Sequence, residues 1–121
     1  MDYMTKDQIG KARDFKIAEV KAWGGTVAIR EFNGESRERW SLHIENNKNA
    51  NGEFVMNNTT AFLCALCICD QHGNLLYSED DVPELGKKSA KELEVVFTAC
   101  MELNGLGADS VEESAKNSVA A

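Results

Sequence analysis

Nine consecutive residues, Ala61 to Cys69 (AFLCALCIC), carry neither a charge nor an amide, and they limit the fold more than anything else in the chain. A helix that is apolar all round must be buried over most of its surface, and an apolar strand must be covered on both faces. The run therefore has to sit at the centre of a core. Its length fits either a helix or a strand, and periodicity alone does not choose between them. Asp70-Gln71-His72-Gly73-Asn74 follows as a turn, because Gly73 and Asn74 accept the backbone angles a reversal needs. The preferred reading is a buried helix closed by that turn.

The surrounding segments supply covers for such a core. Thr5 to Gln8 (TKDQ) has the form of a capping box and predicts a short helix to about Asp14. Phe15–Ala22 and Thr26–Phe32 are β-leaning and flank Trp23-Gly24-Gly25, which predicts a hairpin. Asn33 is placed to cap a helix in which Trp40, His43 and Ile44 share a face while Arg37, Glu38 and Arg39 lie toward solvent. The Asn-rich stretch 46–53 reads as a loop. Leu75-Leu76-Tyr77 reads as a short extended piece, and Ser78 and Gly86 bracket one helical turn. Ser89 and Glu92 form a second capping box, and behind it Leu93, Val96, Phe97, Cys100 and Met101 repeat at i, i+3, i+4, i+7, i+8. The expected architecture is α+β: one small domain over residues 1–106, an N-terminal β-hairpin packed with about four α-helices. Residues 107–121 are expected to be a flexible acidic tail.

Charge narrows the function. Residues 1–57 balance nine Lys/Arg against nine Asp/Glu, whereas residues 58–121 set four Lys against eleven Asp/Glu and supply the whole net charge of -7. An acidic half repels phosphates, so nucleic acid is not an expected partner. No apolar run is long enough to span a membrane, and residues 1–15 lack an apolar signal region. A soluble cytoplasmic protein is expected. An acidic inhibitor or DNA mimic is an alternative, and it requires the carboxylates to be spread over one face.

The chemical candidates are Cys64, Cys67, Cys69, Asp70 and His72, all within nine residues. On a helix, Cys64 and Cys67 lie about 60° apart, while Cys69 is roughly 140° and 160° from them, so three thiols do not converge on one ion. On a strand Cys67 and Cys69 share a face that Cys64 leaves. Structural zinc sites place a close cysteine pair in a turn, whereas Ala, Leu and Ile separate these. Free cysteine packs as a small hydrophobe, so core packing is the preferred reading and a cysteine-based metal-binding or redox protein the alternative. His43 reads as a helix-face residue rather than a base. Residues 70–81 lack the alternating oxygen ligands of a calcium loop. No nucleophile, base and oxyanion donors assemble, and neither a catalytic site nor a cofactor is expected.

Three motifs taken together resemble the tail assembly chaperones of long-tailed bacteriophages. They are Trp23–Phe32 (WGGTVAIREF), Asp70–Leu85 (DQHGNLLYSEDDVPEL) and Glu102–Leu106 (ELNGL), in that order and with matching spacing over residues 5–106. The resemblance implies a non-enzymatic protein that coats the tape measure protein in the host cytoplasm before the tail tube polymerises, and that is absent from the mature virion. It also implies homo-oligomers and two product lengths. The longer form, made by ribosomal frameshifting, would recruit the tail tube protein. Ala115-Lys116-Asn117 is compatible with a slippery A AAA AAC heptamer, and this chain would be the short form. The residues singled out as partner or oligomer contacts are Trp23, at the expected hairpin tip, then Ile29, Trp40 and Tyr77.

Overall fold

The computed structural model describes residues 2–12 and 14–106, so the expected tail and the Ala115-Lys116-Asn117 site lie outside the described residues. The expected α+β architecture is present. In chain order the elements are α1 (Lys6–Lys11), β1 (Ile17–Ala22), β2 (Gly25–Arg30), α2 (Gly34–Asn46), α3 (Thr59–Cys67), β3 (Ile68–Cys69), a 3-10 turn (Glu79–Asp81), α4 (Val82–Leu85) and α5 (Ala90–Leu103).

The apolar run takes both of its permitted forms. Thr59 to Cys67 is helical, and every residue of it except Thr60 is buried. At Ile68 the backbone becomes extended, with φ -63° and ψ 123°, and Ile68–Cys69 joins β2 as a third antiparallel strand. The sheet order is β1-β2-β3. Ala28 faces Cys69 and Ile29 faces Ile68, so the run leaves the helix core and ends inside the sheet. The sequence predicts only the hairpin; the third strand uses residues that read equally well as the end of a helix.

Two predicted boundaries move. The first helix ends at Lys11 rather than near Asp14, and none of its residues is buried. Its capping box is made: Gln8 N–H donates to Thr5 Oγ1 at 3.2 Å and Thr5 N–H to Gln8 Oε1 at 2.9 Å. With no packing, capping and the exposed Lys11–Asp7 pair are its local supports. The hairpin turn is Trp23-Gly24, not a glycine pair, because Ala22 pairs with Gly25 and Gly25 belongs to β2. A two-residue turn of this twist puts both central residues at positive φ, here 51° for Trp23 and 74° for Gly24.

Helices cover one face of the sheet. Ala18, Val20 and Ala22 of β1 and Val27 and Ile29 of β2 point to the core, where α5 lies against them and α3. Leu93, Val96, Cys100 and Met101 are the buried stripe of α5, with Phe97 partly buried beside them, as their spacing predicts. On α2, Trp40 and Ile44 are buried. An aromatic chain runs from Phe32 to Trp40, at 6.5 Å between ring centroids, on to His43 at 6.3 Å, and from His43 to Phe62 at 4.2 Å.

Two polar clasps fix the hairpin to the rest. Asn104 Oδ1 accepts the Phe32 N–H at 2.7 Å, while its Nδ2 donates to the Cys100 carbonyl at 2.9 Å. The end of α5 is closed by Gly105 N–H to Glu102 O at 3.1 Å and Leu106 N–H to Met101 O at 2.7 Å, which buries Leu106. At the other clasp, Arg30 Nη1 donates to the Gly73 carbonyl at 2.7 Å, and the Arg30 guanidinium lies 5.7 Å from the Phe15 ring centroid.

Candidate partner-binding surface

The turn after β3 is built by Asp70. Its Oδ1 accepts the N–H groups of His72 at 2.8 Å and Asn74 at 2.9 Å, and its own N–H donates to Asn74 O at 2.9 Å. Those bonds to the charged form, first that from Asn74, hold the Asp70 carboxyl below the usual carboxylate range. Gly73 stands at φ +86°, and a Cβ there would come within 2.8 Å of Phe15 Cε2. The D-x-x-G pattern thus has a mechanical meaning: it returns the chain under Phe15 and offers a carbonyl to Arg30.

The sheet face away from the helices has no covering layer among the described residues. Ile17, Glu19 and Lys21 of β1 lie on it beside Thr26, Ala28 and Arg30 of β2. Cys69 also lies on this side, yet only 3% of it is exposed, under the turn that Phe15 and Gly73 close. Phe15 and Ile17 keep 38% and 40% of their surface in water, and Trp23 at the tip keeps 38%. A tryptophan at positive φ costs about 1–2 kcal/mol relative to an ordinary backbone, so the tip carries both strain and an exposed indole.

A second region lies around Asn58, another positive-φ residue, at 51°. Two open clefts meet there. One, of about 310 Å³, has Met56, Thr60, Lys88, Leu93 and Glu94 among its walls, and the other, of about 360 Å³, has Arg39, Leu42, Phe62, Glu79 and Pro83. Leu42 on the second cleft and Met56 on the first, both 59% exposed, give them an apolar rim, which Val55, next to Met56 in the chain and 50% exposed, extends. Shallow clefts with exposed aliphatic rims suit the ridge of a helix better than a small polar substrate.

Of the chemical candidates the cysteines are turned inward, whereas Asp70 is spent on building its turn and His72 is exposed. Cys64, Cys67 and Cys100 are fully buried free thiols. Burial, then the neighbouring Cys67, pushes the Cys64 thiol up to about 12. The hydrogen bond to Cys67 and burial raise that of Cys100, and burial raises that of Cys69. Thiols held protonated are poor nucleophiles and poor metal ligands. Among the described residues, no group of three His, Cys, Asp or Glu side chains converges to hold a metal ion. His43 stacks on Phe62 with its Nε2 2.9 Å from Thr59 Oγ1, and burial lowers its pKa against the opposing pull of Glu79. It is a polar joint in an aromatic cluster.

The four residues singled out as contacts separate in the fold. Trp23 is at the hairpin tip and exposed. Tyr77 is half-buried and packs against the core. Ile29 and Trp40 are each 1% exposed; Ile29 fills the inner face of the central strand and Trp40 the sheltered side of α2, so neither presents surface to a partner in this fold. The Asn104 clasp, the Arg30–Gly73 clasp and the Asn58 clefts have no periodic signal. Only the Leu-Asn-Gly and D-x-x-G motifs marked two of them in the sequence.

No family model matches the chain, and no curated protein matches its sequence. Among solved structures, the chain is similar to the tail assembly chaperone of bacteriophage HK97. The likeness has a TM-score of 0.54 and covers 80% of this chain and 94% of that one, at 18% identity. At that identity the likeness is one of fold.

Proposed function

We propose that the protein is a non-enzymatic tail assembly chaperone of a long-tailed phage. In the host cytoplasm it self-associates along the tape measure protein, keeps that helical chain soluble until the tail tube polymerises around it, and is absent from the mature virion. The observation that carries this reading is the fold likeness to the HK97 chaperone over nearly the whole of that chain. The three sequence motifs add to it independently, since each has a defined place in the fold: the Trp23-Gly24 turn, the Asp70–Gly73 turn and the Asn104 clasp.

Physical requirements agree with the role. A tape measure is a long run of amphipathic helices, which aggregates unless its apolar ridges are covered. A cover for it needs an apolar contact surface on a charged body. The Leu42, Val55 and Met56 rim and Trp23 provide such contacts, and the net charge of -7 keeps covered assemblies apart. Neither cofactor, metal, nucleic acid nor membrane enters this role, and among the described residues no helix is long and apolar enough to cross a membrane. A longer product, made when the ribosome changes frame near Ala115-Lys116-Asn117, would bring the tail tube protein to the coated template.

Co-expression with the tape measure protein of the same tail gene cluster tests the reading. The expected result is a shift of that protein from the pellet to the soluble fraction and co-purification of the two. Trp23→Ala, with Leu42→Ser and Met56→Ser as a second variant, should keep the fold and lose the rescue. A tape measure protein that stays insoluble with saturating wild-type chaperone would refute the proposal.

A further inference from the structure

Among the described residues the sheet has one open edge. On the far side of β3, Cys69 bridges to Leu75 and Leu76 N–H bonds Ile68 O at 3.1 Å, so that edge is covered. On the other side, β1 pairs only with β2 among the described residues. The two-residue turn makes Ala22–Gly25 the closing hydrogen-bonded pair. Alternation then directs the N–H and C=O of Ala18, Val20 and Ala22 to β2, and those of Ile17, Glu19 and Lys21 to the open edge. Such an edge is a template for another strand.

We propose that the occupant is β1 of a second copy, paired antiparallel about a two-fold axis at Val20, with Glu19 of each copy opposite Lys21 of the other. The charge pattern selects both the occupant and the register. Only pairings that put odd-numbered residues opposite odd-numbered residues satisfy the outward backbone groups. One step to one side sets Glu19 against Glu19, and one step to the other sets Lys21 against Lys21; like charges directly opposite are destabilising. A further shift, Ile17 against Glu19, leaves both lysines without a cross-strand carboxylate. The remaining register makes two Glu19–Lys21 pairs and their four backbone hydrogen bonds, and it sets Ile17 opposite the partner's hairpin tip, where Trp23 sits.

The side chains are available for this. Glu19 and Lys21 are exposed, Lys21 Nζ donates only to Thr26 Oγ1 at 2.6 Å, and Glu19 forms no ion pair or hydrogen bond within the described fold. Because Glu19 and Lys21 lie two apart on one strand, the same two residues complement themselves through a two-fold axis, as an isologous interface demands. The product is a continuous six-stranded sheet with both open edges consumed. This dimer deepens the self-association within the proposed function and rests on that part of it alone.

Sedimentation velocity of the full chain at low salt and high micromolar loading tests the dimer with no other protein present, so its failure is distinct from failure of the co-expression assay. Wild type should sediment as a dimer. Glu19→Lys faces lysines with lysines and Lys21→Glu faces glutamates with glutamates, so each variant alone should dissociate by roughly tenfold or more. An equimolar mixture of the two restores both opposite-charge pairs and should re-form a dimer, which also proves both variants folded. The double variant Glu19→Lys/Lys21→Glu should dimerise like wild type. A monomeric wild type overturns the proposal, and so do single variants that dimerise unchanged or a mixture that stays monomeric.

Discussion

Replacing Asn104 by alanine tests whether the end of α5 holds the hairpin in place. The side chain makes two strong hydrogen bonds in different directions: it accepts the Phe32 N–H at 2.7 Å and donates to the Cys100 carbonyl at 2.9 Å, with a weaker approach to Cys67 Sγ at 3.7 Å. Alanine fits the backbone, since φ at this position is -93°. The Cys100 carbonyl keeps a partner, because the Asn104 N–H also reaches it at 3.1 Å. Losing Nδ2 therefore costs only about 0.5 kcal/mol. The Phe32 N–H has no second acceptor within the described residues, and leaving a buried donor unpaired costs about 1–3 kcal/mol. Asn104 is half-buried, so water recovers part of this, and the sum is about 2 kcal/mol. For a domain of this size that corresponds to a fall in Tm of roughly 8–15 °C. Urea unfolding gives the total, and amide exchange at Phe32 locates it: the N–H should lose protection beyond the global change. A variant within about 0.5 kcal/mol of wild type, or a Phe32 amide as protected as before, would show that the clasp is incidental.

Three further outcomes follow from the same structure. Gly73→Ala should cost about 1–2 kcal/mol, nearly all of it from φ +86°, because Phe15 is exposed and its ring can swing away; adding Phe15→Ala should therefore not restore stability in a urea titration. His43 has a pKa depressed by burial, so the unfolded chain binds its proton first: stability should be full above pH 6.5 and fall as pH drops through the folded value. Thermal melts of wild type and His43→Gln between pH 7.5 and 5 check this, and a slope unchanged by the substitution would assign it elsewhere. The four thiols should resist a disulfide reagent at pH 8 while the protein is native and react fully in denaturant, with no protection by zinc, since Cys64, Cys67 and Cys100 are fully buried and Cys69 is only 3% exposed. Prompt reaction of the native protein would contradict that burial.

How far the sequence speaks depends on the length over which a signal repeats. The α5 stripe from Leu93 to Met101 repeats through about two and a half turns and is read correctly, with Phe97 only partly buried at its edge. The run Ala61–Cys69 is apolar in every position and so has no period; that is why the sequence places it in the core without saying where helix becomes strand. The change at Ile68 comes from β2, which offers Ala28 and Ile29 as partners, and no local pattern encodes a pairing across about forty residues. The end of the hairpin turn is a different kind of miss, because Trp23 is at the tip as expected but Gly25 belongs to the strand. Two adjacent glycines suggest the turn, but the register that puts Val20 opposite Val27 and Ala18 opposite Ile29 on the core face moves the turn back by one residue, and tryptophan takes the strained position.

Most of the positions that carry the phage-chaperone resemblance thus answer requirements of the backbone. Asp70 and Gly73 bend the chain, Asn104 ties α5 to the end of the hairpin, and Gly24 lets the hairpin reverse. Each answers a backbone requirement that few residue types meet, so each would survive exchange of everything around it. The surfaces proposed to meet partners, by contrast, are made of leucine, methionine, valine and paired charges. Many residues can replace these so long as the partner changes too. A fold shared at 18% identity fits this division: a few special residues hold the geometry, while the interface of the proposed function is free to change with its partner. Under the proposed function, transplanting the Leu42, Val55 and Met56 rim into a chaperone of the same fold should transfer preference for the tape measure protein without altering stability by more than about 1 kcal/mol. Exchanging Asp70, Gly73 or Asn104 should do the reverse. If rim exchange leaves preference unchanged in a competition co-expression, the contact lies elsewhere, and the outer face around Phe15 and Trp23 becomes the surface to exchange next.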